Sequence, residues 1–343
     1  MIKTFGNAIA LAGGLALFMI SHAGAQTTMT MSSMLSPQHH LSSHITAGWA
    51  AEVEKATGGR VRFQMLPKHP AAPPGTFDAV KDGLTDLSYT VSGYTPGRHI
   101  VTQIAELPGA GSTSEINSVA YSRIYWKHLH GVGEYNGVKL LGVFTHGPGQ
   151  MYNTKRPITS LADLRGMKIR TGGGVAEALA NALGASGFVK PAPEAYELLK
   201  SGVADGTFFP TETAVSFKLD TVARFVTLFP GGFYNTAFSF FMNQDKWNKL
   251  SKQDQDAIEK LSGEYIARRA GKSWDNADRI GLDAMRKGGV AIAEAGPALI
   301  KDIEAASARV EEEWIKKASS RGIDAAMVLR EFREELKRVA AGK

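Results

Sequence analysis

Twice along this chain, short apolar stretches of period two alternate with stretches of helical period, and that alternation limits the fold more than any single motif. Gln26 to Leu35 opens as a strand, and SPQHHLSS follows as a loop in which Ser42 or Ser43 is suited to cap a helix. Ile45, Trp49, Val53 and Ala56 recur at helical spacing until Gly58-Gly59 ends the run. Val61, Phe63 and Met65 alternate as a second strand, and the following PKHPAAPPG cannot be regular structure because proline lacks the amide donor. Phe77, Val80 and Leu84 mark a short helix, and Leu87, Tyr89 and Val91 a third strand. The order β-α-β-α-β predicts a parallel or mixed sheet covered by helices.

After two loops, Ser112 and Glu115 form a capping box for a helix carrying Ile116, Val119, Ala120 and Ile124. Leu140 to Phe144 is a strand that runs into HGPGQ, His146 to Gln150, a segment suited to a crossover between domains. A second α/β unit then begins. Its strands are expected near Ile169, near Phe188, at Gly206 to Phe209, at Phe225 to Phe229 and at Thr236 to Met242. From Ser251 to about Lys287 the pattern is amphipathic and helical, with Gly263, Gly271 and Gly281 as places for bends or breaks. Val290 to Ala293 suits a late strand, and Ala298 to the end reads as helix.

The stretch TSLADLRGMKIRTGGG, Thr159 to Gly174, carries the chemistry. Ser160 and Asp163 make an acidic helix start, Gly166 a stop, and Met167 to Ile169 a short strand. Arg170 stands at the carboxyl end of that strand, before three glycines. Ligands of open α/β folds bind outside the carboxyl ends of strands, so a permanently charged, fork-shaped donor there is placed to meet an anion. The glycines lack a P-loop or dinucleotide fingerprint, so their reading is flexibility beside the ligand.

Composition narrows the classes. Lys3, the apolar run Ala8 to Ile20 and Ala23-Gly24-Ala25 form a secretory leader with cleavage expected after Ala25. The chain has no cysteine, which excludes thiol chemistry and cysteine-based metal sites. Its net charge of +6 is scattered without a basic run, so no nucleic-acid partner is expected. His39, His40 and His44 tempt a metal reading. However, no carboxylate follows in an H-E-x-x-H pattern, and neither metal nor cofactor is expected. No catalytic set of acids, histidine and serine can be picked out, so no enzyme is expected.

Assembled, these residues resemble the solute-binding proteins of tripartite ATP-independent periplasmic (TRAP) transporters, of the C4-dicarboxylate-binding (DctP) type. The leader, RPITSLADLRGMKIR from Arg156 to Arg170, LLKSGVADG from Leu198 to Gly206, and the long helix after NQDKW carry the resemblance. It implies a periplasmic-binding-protein-like α/β fold: two domains around a cleft, joined by crossover strands and a long helix. Domain I would be residues 26–148 plus about 237–277. Domain II would be 149–236 plus about 278–343, including the C-terminal helices, with 1–25 the leader. It also implies a periplasmic monomer that binds a small-molecule carboxylate through Arg170 and delivers it to a small and a large membrane permease subunit.

Two positions depart from the family pattern. Phe209, preceded by Phe208, stands where acidic-ligand relatives carry a polar residue, and Gln150 where many carry a second arginine. Fewer charges and more aromatic surface favour a monocarboxylate with an aromatic or apolar body, such as an aryl acid or a 2-oxo acid. Gln38 or His39, Tyr94, Tyr234 and Asn235 lie in loops that this architecture aims at the cleft. The alternatives are a C4-dicarboxylate binder, a receptor presenting its ligand to a sensor, and an exported enzyme using the same cleft.

Overall fold

The computed structural model describes Met1 and residues 26–343; the leader expected over residues 1–25 lies, but for Met1, outside the described residues. The first three strands, β1 (Thr27–Met31), β2 (Val61–Met65) and β3 (Leu87–Val91), run parallel, and β4 (Val138–Thr145) follows. The chain then leaves to build a second sheet from β5 (Gln150–Asn153), β6 (Lys168–Thr171), β7 (Ser186–Val189), β8 (Gly206–Phe209) and β9 (Phe225–Leu228). It returns as β10 (Ala237–Asn243), which inserts antiparallel between β3 and β4, and β11 (Ala291–Glu294) finally joins the edge of the second sheet beside β9. The orders are β2-β1-β3-β10-β4 and β11-β9-β5-β8-β6-β7. Both sheets are mixed and open.

Strand β10 shows why the first sheet holds. Its sequence AFSFFMN is buried at every position, as a strand covered on both faces must be. Phe238, Phe240 and Met242 pack into the cluster around Trp49, with Phe240 edge-on to Trp49 at 5.0 Å. Ala237 and Phe241 point the other way, into the cluster of Phe77 and Tyr135. Alternation by two divides one strand between two cores.

The helix Glu264–Gly288 ties the units together. Ile266, Ala270 and Trp274 sit in the core of the first sheet, and Met285 sits with Phe209 and Val226 under the second. The stretch from Ser251 forms two helices, Lys252–Lys260 and Glu264–Gly288, broken at one of the three glycines where a break was allowed. Gly263, at φ +60°, makes the break. Gly271 and Gly281 do not bend the helix; they let backbone approach it. A Cβ at Gly271 would sit 2.3 Å from Glu115 Cα, and one at Gly281 would sit 2.0 Å from the Thr211 carbonyl oxygen.

Three local expectations are corrected. Neither Ser42 nor Ser43 caps the first helix: it begins at Leu41 with a wide π-type turn, and Ser42 Oγ is engaged with Ser33 Oγ at 2.6 Å. The cap of helix Ser114–Ile124 is Thr113 rather than Ser112, and Asp275 of the long helix adds hydrogen bonds from the Ser114 and Glu115 amides. The C-terminal stretch splits into Pro297–Ser319 and Ala325–Ala340, and the latter packs on Ser114–Ile124 of the first unit rather than on the second. Its apolar stripe, with Val328, Phe332 and Leu336, matches a surface whose position only the folded chain defines.

Gly281→Ala is expected to lower Tm by several degrees, although alanine is the better helix former by about 1 kcal/mol. Gly288→Ala, where a Cβ would meet nothing closer than 3.7 Å, should leave Tm unchanged or raise it. Thermal melts followed by circular dichroism compare the two.

Candidate functional site

Arg170 lies within β6, paired with Phe188 of β7 on one side and Thr207 of β8 on the other. Its side chain is fully buried at 1 % exposure. Nε and Nη2 both donate to the Lys190 carbonyl just beyond β7, the former at 2.8 Å, and the guanidinium lies over the Phe209 ring at 4.4 Å. These contacts fix the plane of the fork. They do not neutralise it. Glu194 is the acid whose charge reaches the guanidinium, but that carboxylate pairs with Lys190 Nζ at 3.4 Å. Burial lowers the arginine from its ordinary value, yet arginine remains charged in any folded protein. A buried cation without a counter-charge costs several kcal/mol, and an anion entering beside it relieves that cost.

The first unit closes over this arginine. Tyr94, just after β3, stands beside the guanidinium, and its hydroxyl accepts from the Ala192 amide of the second unit at 2.8 Å. Because that bond uses only an oxygen lone pair, the phenolic proton is left to donate. One residue earlier the two units meet backbone to backbone: a Cβ on Gly93 would sit 2.4 Å from the Gly172 carbonyl oxygen. The glycine run of Gly172 to Gly174 therefore serves close approach, where its sequence suggested flexibility.

The resulting cavity lies between the two sheets. Its wall is rich in aromatic rings: Tyr89, Tyr94 and Phe238 from the first unit, Phe208, Phe209 and Phe217 from the second, Tyr234 from the returning crossover and Trp274 from the long helix. Arg170 is the sole lysine or arginine lining it among the described residues. His39 and His146 are the histidines of the wall, and Glu212 is its carboxylate.

His39, His40 and Glu212 bring three possible metal-binding atoms within 4.8 Å of one another. The chemistry of the donors opposes a metal. The Leu41 amide donates to His39 Nδ1 at 3.1 Å, which leaves the ring proton on Nε2, the nitrogen that faces Glu212 Oε2 at 3.7 Å. That nitrogen is a donor, not a ligand. It reaches across the cleft from the loop after β1 to the segment after β8.

The structure brings Arg170, Phe208, Phe209, His39, Tyr94 and Tyr234 to one cavity. Two expected residues point elsewhere. Gln150 is spent on backbone, its Oε1 accepting from the Phe229 amide at 2.6 Å and its Nε2 donating to the Pro148 carbonyl at 3.2 Å. Asn235 donates to the His146 and Gly147 carbonyls at 2.9 and 3.1 Å and so pins one crossover to the other. Gln38 is exposed outside the cavity. Sequence reasoning missed His146, Glu212, Phe217, Phe238 and Trp274. His146 had a signal, because it stands in the HGPGQ crossover and crossovers border the cleft; Trp274 had none within its amphipathic helix.

Against known families, residues 31–317 match the model of the bacterial extracellular solute-binding proteins, family 7 (DctP). An outer membrane transporter protein, TsaT, of Comamonas testosteroni is 30% identical over 96% of this chain and 98% of its own. A TRAP periplasmic solute-binding protein from Bordetella bronchiseptica, with bound (R)- and (S)-mandelate, is 42% identical, covers 91% of this chain and 99% of its own, and superposes with a TM-score of 0.89. A marine metagenome TRAP solute-binding protein specific for aromatic acid ligands, in complex with 3-hydroxybenzoate, is 29% identical over 92% and 99% of the two chains, with a TM-score of 0.85.

Glu106 is the buried acid that spans the closure. Its carboxylate accepts from the Val175 amide, at the start of a helix in the second unit, and from the Ala237 amide at the start of β10, each at 3.1 Å. Burial pushes its carboxyl up to about 7, against the pull of those two amides. A carboxyl raised on folding supports the fold fully below its unfolded value near 4.5, and that support is lost as pH rises through about 7. Tm is thus expected to fall between pH 5 and pH 8, with up to roughly 3 kcal/mol from this group. Glu106→Gln should shrink the fall but not abolish it, since buried Asp278 is raised in the same direction. Melts of both proteins at the two pH values test this.

Proposed function

This chain belongs to the bacterial extracellular solute-binding proteins of family 7, and on that footing we propose that it captures a monocarboxylate with an aromatic body and hands it to a TRAP permease. One observation carries the reading: a buried guanidinium with no carboxylate partner faces a cavity walled by aromatic rings. A carboxylate supplies the missing counter-charge, and charge-assisted bonds contribute roughly 1.5–3 kcal/mol each. The flat remainder of an aryl acid fills the aromatic wall.

Charge argues against a compact dicarboxylate. A second carboxylate would need a second cation, and the wall holds no second lysine or arginine among the described residues. The mandelate and 3-hydroxybenzoate held by the two structural relatives support the same class of ligand here. Binding stabilises the closed arrangement, because the carboxylate is held by Arg170 of one unit while Tyr94 of the other stands beside it. The pairing with a small and a large membrane subunit, the cleavage of the leader after Ala25, action as a monomer and the absence of catalysis belong to this proposal.

Arg170→Ala is expected to weaken benzoate or mandelate about tenfold to several hundredfold in isothermal titration calorimetry. Its ligand-free Tm should stay the same or rise, since an uncompensated buried charge is removed. An unchanged Kd would overturn the role of Arg170. Phe209→Asn should weaken aromatic acids more than acetate or propionate, and equal losses would remove the aromatic argument. Tighter binding of succinate than of any aromatic acid would sink the proposal as a whole.

A further inference from the structure

His146 lines the cavity and is buried, yet one of its ring nitrogens is unused. Its Nδ1 lies 2.5 Å from the Gly147 carbonyl oxygen. A carbonyl only accepts, so the proton is on Nδ1 and Nε2 presents a bare lone pair. Burial pushes the imidazole down to about 4, with the Arg170 charge acting in the same direction, so the ring is neutral at physiological pH. Nε2 has no hydrogen-bond partner among the described residues. Trp274 presents the complementary case: its ring centroid is 5.9 Å from that of His146, and its buried Nε1–H likewise lacks a partner.

An unpaired acceptor and an unpaired donor, on two neighbouring rings that line the same cavity, each carry a desolvation penalty. A carboxylate cannot remove both, because it only accepts. Nor can the carbonyl of a 2-oxo acid, for the same reason. A hydroxyl can: it donates through its proton and accepts through its oxygen. We infer that the ligand bears a hydroxyl in addition to its carboxylate, and that His146 Nε2 reads it as the acceptor while Trp274 Nε1–H donates to its oxygen. The carboxylate on Arg170 orients the molecule, and His146 discriminates among acids of the same outline. This rests on the aromatic-acid reading of the same cavity and adds a selectivity to it. The physical basis is that a site built to bond a hydroxyl disfavours the analogue lacking it, since the protein groups are then left unpaired.

The test is calorimetric titration of the full mature chain with matched pairs: (R)- and (S)-mandelate against phenylacetate and phenylglyoxylate, and 3-hydroxybenzoate against benzoate. Expected is a preference of about tenfold or more for at least one hydroxylated acid over its deoxy and oxo partners. His146→Phe should bring that preference within about threefold. His146→Gln, whose amide oxygen can accept, should retain part of it. Aromatic acids that bind without regard to the hydroxyl would overturn this inference and leave the aromatic-acid reading standing. A preference that persists in His146→Phe would overturn the role of His146. Failure of every aromatic acid to bind would remove both. The wild-type comparison decides the hydroxyl question even if the phenylalanine variant does not fold.

Discussion

The proposed function depends on one uncompensated charge, that of buried Arg170. Arg170 is carried into the interior by a strand with neighbours on both sides, and its fork is aligned by the Lys190 carbonyl and by the face of Phe209. A flexible lysine at that position would have retreated to water; a planar guanidinium with two donors tied down cannot. The protein therefore keeps a cation where water is scarce, and in the proposed reading its electrostatic partner arrives from outside. Such a site is poor as a stability device and good as a recognition device, because a full charge in a low-dielectric cleft discriminates strongly between anions and neutral molecules.

Closure follows from the same chemistry. The contacts across the cleft are mostly polar or backbone: the Tyr94 hydroxyl on the Ala192 amide, Glu106 on the Val175 amide, and Gly93 against Gly172 to Gly174. Polar bonds of this kind exchange with water at small net gain. A ligand that contacts both units can then shift the balance between open and closed forms with modest differential affinity. The long helix Glu264–Gly288 limits the motion by standing with one half in each core, and its glycines keep neighbouring backbone pressed against it.

Much of this was legible in the sequence because it is local. Period-two runs such as Leu87 to Val91 became strands, the Ser160–Asp163 box formed, and Gly166 took its positive φ of 73°. Caps were harder to place. Thr113 displaced Ser112 and the first helix took no serine cap, since neighbouring elements such as the long helix already satisfied the amides or occupied the hydroxyls. Gln150 was misread for a related reason. Its place in the chain matched a ligand-contacting position, but its side chain found the Phe229 backbone first, at bonds that cost less than facing a dry cavity.

The sequence by itself determined the two α/β units, the strand ending near Arg170, and the shift from charge toward aromatic surface signalled by Phe209. Those are matters of period, turn chemistry and residue type, which neighbouring residues settle among themselves. Only the tertiary structure decided that Arg170 has no carboxylate partner, that His146 and Trp274 share the wall with it, and that Gln150 and Asn235 do not. Pairing of buried polar groups is a property of what lies within about 3 Å in space, and residues from 34 to 274 along the chain meet at this cavity.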